Sequence, residues 1–206
     1  MTSAALPELA AVPWRKPIDA DRLRRWGRVW TLWTVGWTIP FVAAGVFLIW
    51  IEPLAFAVAL ASFAHAWLIP EIHAFRGASV LRQKGARHES AEPVAQGFLG
   101  DLLNHDAREL HRETGLVLEE GRLGRWLLGE AGGVLFLRDS NRVHCFCVTT
   151  TDKQLPPSDR IAHLLLALRT DELGFATIAN HAFSGAAWRV RRRMPKEMRP
   201  AFDRAR

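Results

Sequence analysis

The sequence has few cysteines, few lysines and one long block without any basic residue, and each shortage excludes a class of protein. Its 206 residues include two cysteines, too few for a small secreted scaffold held together by disulfides. Charged residues make up 23% of the chain, an ordinary fraction that excludes global disorder. Only four of the 27 basic residues are lysine. We interpret this dominance of arginine, together with frequent alanine, as the composition of a GC-rich bacterial genome.

Motifs for catalysis and nucleotide binding are also missing. The sequence contains no P-loop, no G-x-G-x-x-G, no H-E-x-x-H and no G-x-S-x-G, the patterns that would mark phosphate, dinucleotide, zinc or serine-nucleophile sites. We therefore predict no cofactor, and the sequence favours a non-enzymatic protein while leaving enzymatic activity uncertain.

The basic residues are missing from residues 29–75, where the only acidic side chains are Glu52 and Glu71. The stretch 29–51 is 23 residues without a charge. As a helix it would be about 35 Å long, enough to cross a hydrocarbon core of about 30 Å. A second apolar run, 54–75, reaches a similar length. We predict a transmembrane helical hairpin with a tight turn at Glu52. The alternative is a buried hairpin in a soluble protein, which the length of the uncharged run disfavours.

Basic residues flank this hairpin on both sides and indicate its orientation. Six lie in residues 1–28 and four in 76–95, whereas the turn has none. The positive-inside rule then places both termini in the cytoplasm and the turn outside. We predict a multi-pass protein of the bacterial inner membrane, with 1–28 as a cytoplasmic segment.

Four tryptophans recur along one face of the first predicted helix. Their i, i+4, i+7 and i+11 spacing keeps them within about 60° of one another around the helix. We interpret them as an aromatic belt at the inner interface that packs against the second helix. The alternative is a seam for self-association or for a partner helix. The residues are Trp26, Trp30, Trp33 and Trp37.

Polar side chains inside a membrane segment are functional candidates. His65 lies well inside the second apolar run, where we expect it to bond a group of the first helix. Glu71 and His73 are expected at the level of the lipid headgroups, paired with Arg76.

The remaining chain predicts an α+β fold. We divide it into a polar linker at 76–95, a cytoplasmic α+β domain at 96–194 and a basic tail at 195–206. Three strand-like runs predict a three-stranded antiparallel meander that is apolar on both faces and must be covered by helices on both. These runs are Arg125–Glu130, Val134–Arg138 and Val143–Thr150. Helices are predicted from Gln96 to about Gly115, at Asp159–Asp171 and from about Phe175 to Val190.

Two groups of residues are weak candidates for a catalytic or metal site. Cys145 and Cys147 alternate onto one face of a predicted strand, where we expect small buried apolar side chains rather than a nucleophile. Asp101, His105 and Glu109 are spaced i, i+4 and i+8 in the first domain helix and would share one face. Such a face can ligate a metal or act as acid and base, although a solvated, salt-bridged face is the more common outcome.

The densest basic cluster follows Trp188 near the end of the chain. Next to an anionic inner leaflet each basic residue would gain about 1 kcal/mol of attraction. The alternative is an ordinary solvated tail. Nucleic acid is an unfavoured partner because residues 96–188, with nine basic and twelve acidic side chains, are mildly acidic. The predicted lipid-surface residues are Arg189, Arg191, Arg192, Arg193 and Lys196.

Two functional hypotheses follow. The leading one is a membrane-anchored scaffold or regulatory module that presents its α+β domain at the inner leaflet. Its expected partners are the anionic bilayer and either a second copy of the chain or a partner membrane protein. The alternative is a small membrane-bound enzyme that uses the cysteine pair or the His105 and Glu109 face.

Overall fold

The computed structural model describes residues 15–82, 91–148 and 155–206 and has an α+β architecture. Two long helices, α1 (Ala20–Ile51) and α2 (Phe56–Ser79), form a hairpin. They are followed by α3 (Glu92–Leu102), α4 (His105–Thr114), β1 (Val117–Glu120), β2 (Gly124–Gly129), β3 (Gly132–Leu137) and β4 (Arg142–Cys147). The chain then forms α5 (Pro157–Thr170), α6 (Glu172–Ile178), β5 (Asn180–Ala186), α7 (Ala187–Arg193) and α8 (Arg199–Ala205).

The hairpin is the predicted pair of long apolar helices, with ends that differ from the prediction. α1 begins at Ala20, inside the segment predicted to precede the membrane, because the Asp19 side chain accepts a hydrogen bond from the Arg22 backbone at 2.6 Å and caps the helix. At the turn the Glu52 carboxylate accepts from the Leu54 backbone at 3.1 Å. The helices then pack against each other, and Gly45 is buried against the ring of Phe63.

Both helices are long and apolar enough to cross a membrane, and only 6% of the most apolar stretch of each is buried. The core helix of a soluble protein would be mostly buried, so this exposure disagrees with the soluble alternative. The helices suggest a membrane association. Large apolar residues with at least half of their surface exposed include Leu32, Trp33, Trp37, Ile39, Phe47, Trp50, Leu54, Phe56, Val58 and Trp67.

The sheet has five strands in the order β1-β2-β3-β4-β5, all antiparallel, so the predicted three-stranded meander is wrong in its strand count. The three predicted strands correspond to β2, β3 and β4, and the last predicted residues, 149–150, lie outside the described residues. β1 was missed because two of its four residues are glutamate. β5 occupies part of the helix predicted at Phe175–Val190.

The two faces of the sheet are both covered, as the alternation of β3 predicts. Leu135 and Leu137 belong to one buried cluster, with the α5 side chains on that side. Val134 and Phe136 belong to a second cluster with α2, α7 and α8. The rings of Phe136 and Phe202 lie 4.8 Å apart, so the segment 195–206 contributes side chains to this second core.

The single helix predicted from Gln96 to Gly115 is two helices. The chain is extended at Leu103, and the Asn104 side chain accepts a hydrogen bond from the Ala107 backbone at 2.8 Å to cap α4. Gly115 ends α4 in the left-handed conformation at φ 70°, as its position predicts. The α5 helix matches its predicted range closely and buries the expected apolar side chains.

Candidate functional site at the junction of hairpin and sheet

The base of the hairpin is built into the α+β domain, where both helices contact the edge strand β5 and its neighbour β4. Glycines permit this approach. A Cβ added at Gly77 of α2 would lie 2.9 Å from Cβ of Phe183 in β5. A Cβ at Gly27 of α1 would lie 3.3 Å from Arg142 and Ser184. The last strand of the sheet therefore packs against the basal segments of both hairpin helices.

Aromatic and histidine rings fill the junction. Trp26 of α1 stacks on His181 of β5 at 5.0 Å between centroids, and His181 stacks on His144 of β4 at 5.6 Å. Trp30 lies 5.4 Å from His181 and 5.8 Å from His73 of α2 in edge-on contacts. We name these five residues the junction cluster: Trp26, Trp30, His73, His144 and His181.

The histidines of β4 and β5 are held neutral by their surroundings. Burial, with smaller contributions from the neighbouring His181 and Arg142, lowers the pKa of His144 to about 3. Burial also lowers the pKa of His181 to about 4, against a small opposite effect from the Phe183 backbone. Both ring nitrogens of His144 and the hydroxyl of Ser184 lack a hydrogen-bond partner within the described residues.

Arg142 of β4 links α1 to the sheet through hydrogen bonds. Its guanidinium donates to the Gly27 carbonyl and to the Thr31 hydroxyl, each at 2.7 Å. The Gly27 carbonyl lies within α1, so the arginine binds the helix from the side and fixes its distance from β4.

Glu71 of α2 pairs with the domain and not with Arg76 as the sequence analysis expected. Its carboxylate is 3.1 Å from Arg192 and is also bound by Arg193 through two nitrogens. The residues are 122 positions apart in sequence, which is why local spacing favoured the neighbouring arginine. His65 likewise bonds the Ala61 carbonyl of its own helix at 2.7 Å and stacks on Phe41.

The four predicted seam tryptophans divide into two pairs. Trp26 and Trp30 are partly buried against the domain, within the junction cluster. Trp33 and Trp37 contact each other at 5.8 Å and are 63% and 53% exposed. Only this second pair is available to a lipid, a second copy or a partner helix.

The predicted cysteine site has no reactive thiol. Cys145 is fully buried on the side of the sheet with Val134, and burial raises the pKa of its thiol. Burial also raises the pKa of the Cys147 thiol. A thiol with a raised pKa is a poor nucleophile at neutral pH.

The residues Asp101, His105 and Glu109 do not share a helix. Asp101 lies in α3, whereas His105 and Glu109 lie in α4 beyond the break at Asn104. Glu109 is paired with Arg112 at 2.5 Å, which lowers the pKa of its carboxyl. Within the described ranges, no group of three or more histidine, cysteine or acidic side chains is arranged to hold a metal ion.

A cleft with a volume of about 770 Å³ lies elsewhere, between α3, α4 and the start of α5. Asp101 lines it, but His105 and Glu109 do not. His111 lies on its wall, where burial lowers the pKa of the ring. Its wall carries both acidic and basic side chains, so its charge selects no ligand class.

Comparison with known proteins identifies no relative. No family, no curated protein and no solved structure matches this chain.

The junction cluster cannot be recognised in the sequence because its members come from four separate elements. His144 and His181 are isolated in sequence, and the strand that carries His181 was predicted as helix. The available signal was the alternation within the predicted strand Val143–Thr150, which puts His144 on the face opposite Cys145. In the structure His144 lies opposite Leu135 on a buried face.

Proposed function

We propose that the protein is an integral protein of the bacterial inner membrane whose hairpin anchors the α+β domain at the cytoplasmic surface. The domain acts there as a scaffold or regulatory module. The observation that supports this proposal is that the hairpin has two parts. Its base packs against β5, and its outer part is exposed and apolar. Such a division suits a protein that works in two environments.

The length of the outer part supports insertion. Contacts with the domain reach Thr31 in α1, whose hydroxyl is bound by Arg142, and Glu71 in α2, which pairs with Arg192. From Thr31 to the end of α1 at Ile51 the helix rises about 30 Å. That matches a hydrocarbon core of about 30 Å.

The charges at the base support the orientation with both termini in the cytoplasm. Arg25, Arg28 and Arg76 are exposed at the level where the apolar surface begins. Arginines at this level are favoured on the cytoplasmic side of a membrane. The turn at Glu52 would then lie outside.

A scaffold role is better supported than an enzymatic one. The two enzyme candidates are weakened by the burial of Cys145 and by the separation of Asp101 from His105. An interaction surface remains in the membrane at Trp33 and Trp37, which are exposed beyond the part of α1 that contacts the domain. We propose that this pair binds a second copy of the chain or a partner membrane protein.

Insertion is tested by alkaline carbonate extraction of membranes that contain the full chain, together with topology reporters. We expect the protein to stay in the membrane pellet, a reporter after Arg206 to be active in the cytoplasm, and one inserted after Glu52 to be active outside. Release by carbonate, or a periplasmic signal from Arg206, would contradict the anchor or its orientation.

The scaffold role is tested by a photo-crosslinking residue placed at position 33 or 37 in living cells. We expect a discrete protein adduct, of the size of a dimer or of one partner. The matched control is position 50, where Trp50 is 80% exposed near the turn and is expected to face lipid. Equal labelling at positions 33, 37 and 50 would show that the tryptophan pair has no protein partner.

A further inference from the structure

Helix α7, which directly follows β5, has an exposed face made of one aromatic ring and two cations. Trp188 is 52% exposed. The guanidinium carbons of Arg189 and Arg192 lie 5.3 Å and 6.0 Å from the centre of its ring. We name these three residues the α7 face. Arg192 is four positions from Trp188 and is therefore its neighbour on the helix surface, and the guanidinium of the adjacent Arg189 also reaches the ring.

The other arginines of this helix are occupied by protein carboxylates. Arg191 binds Asp203 through two nitrogens at 2.7 Å and 2.6 Å. Arg193 binds Glu71. Arg192 also reaches Glu71 but keeps 51% of its side chain exposed. The five basic residues predicted from the sequence as a lipid surface therefore differ in availability, and Arg189 and Arg192 are the two beside the exposed ring.

The position of the α7 face relates it to the proposed membrane boundary. Arg192 lies 3.1 Å from Glu71 of α2. Next to Glu71, Ile72 and Phe75 are 48% and 53% exposed and belong to the apolar surface of the hairpin. The α7 face thus adjoins the base of that surface, which the proposed insertion would put at the depth of lipid headgroups.

The chemistry of the α7 face suits an anionic phospholipid. Tryptophan is enriched at membrane interfaces because its ring is apolar and its N–H is polar. Arginine binds phosphate through a planar pair of donors. Nucleic acid would need a broader basic surface, whereas the body of the domain is mildly acidic.

We propose that the α7 face binds the phosphate of an anionic phospholipid in the cytoplasmic leaflet, which fixes the height of the domain above the membrane. This inference rests on the proposed insertion of the hairpin. It assigns the contact to Trp188, Arg189 and Arg192 and gives Arg191 and Arg193 a structural role.

The test is a lipid titration of the full-length protein in detergent, followed by native mass spectrometry. The probes are short-chain phosphatidylglycerol and short-chain phosphatidylcholine. We expect tighter binding of phosphatidylglycerol. Arg189→Gln and Arg192→Gln are each expected to weaken it about fivefold, the factor for about 1 kcal/mol per basic residue at an anionic surface.

The matched control is Arg191→Gln, which removes the same charge from the same helix but breaks the pair with Asp203. We expect it to leave phosphatidylglycerol affinity unchanged and to lower the melting temperature. Equal binding of the two lipids by the wild type, or an equal loss in Arg191→Gln and Arg189→Gln, would overturn the inference. Carbonate extraction of the same wild-type protein separates the two proposals. Release of the protein from membranes would contradict the proposed insertion. Retention in the membrane without a preference for phosphatidylglycerol would contradict only the proposed lipid site on the α7 face.

Discussion

At the scale of single residues, the junction cluster concentrates groups whose properties depend on burial. His144 is 1% exposed and pairs across the sheet with Ser184. A histidine in such a place is stable only when neutral, because a charge there would face Arg142 and a second histidine without a nearby acid among the described residues. The sequence shows the residue type but not this environment, which four distant elements create.

The first prediction is a loss of stability in mild acid. The folded pKa values of His144 and His181, about 3 and about 4, lie below the ordinary value of 6.5. The unfolded chain therefore takes up protons first, and stability present above pH 6.5 is lost as the pH falls toward 4. Each pH unit costs up to about 1.4 kcal/mol per histidine in that range.

This pH dependence is measured by thermal unfolding in detergent at pH 7.5 and pH 5. We expect His144→Leu to lose less stability between the two pH values than the wild type. His163→Leu is the matched control, because His163 is exposed on α5 and should keep the wild-type response. An identical acid response in all three proteins would contradict the assignment.

At the scale of elements, the sequence predicted those parts whose apolar pattern is strong and local. The hairpin follows from its uncharged run, and β2, β3 and β4 follow from short apolar runs separated by turn residues. β5 could not be found this way, since Asn180–Ala186 is rich in alanine, serine and glycine. It is a strand because it pairs with β4 and packs under the hairpin, so tertiary contacts override its propensity. The candidate site includes a residue of β5, so a sequence prediction that misses this strand also misses the site.

A second prediction concerns the close contact between α2 and β5. Gly77→Ala places a Cβ 2.9 Å from Cβ and Cγ of the buried Phe183, which must move. We expect a loss of about 1–3 kcal/mol, as for overpacking in other cores, measured as a lower melting temperature in detergent. The matched control is Gly36→Ala in α1, where nothing lies within 4 Å. A Gly77→Ala protein as stable as Gly36→Ala would show that the helix and strand are less tightly packed than described.

At the scale of the whole molecule, the base of the hairpin is part of the folded domain. Both buried clusters contain residues from the hairpin or its flanks. Ile18 and Leu23 contribute to one cluster, and Ala74, Ala78 and Leu81 contribute to the other. The division into a 29–75 hairpin and a 96–194 domain stays a prediction about boundaries, but the packing crosses them.

A third prediction follows for shortened chains. Residues 91–206 alone lack the side chains of both helix bases, so we expect a poorly packed protein that binds a hydrophobic dye. Residues 15–206 with the outer hairpin, 33–70, replaced by a short flexible linker keep both bases and are expected to fold in water with dispersed amide resonances. Equal dispersion in the two spectra would show that the hairpin bases are dispensable.

Because β5 packs against the bases of both hairpin helices, the order in which these elements are synthesised affects how the sheet is completed. For a chain inserted as proposed, residues 20–79 leave the ribosome and enter the membrane long before residues 180–186 are made. Until then β4 is an edge strand that lacks its partner β5. His144, which is buried in the complete fold, is then exposed to water. The last strand then enters a slot between two helices already fixed in the bilayer. Completion of the sheet is therefore a late step that takes place at the membrane surface.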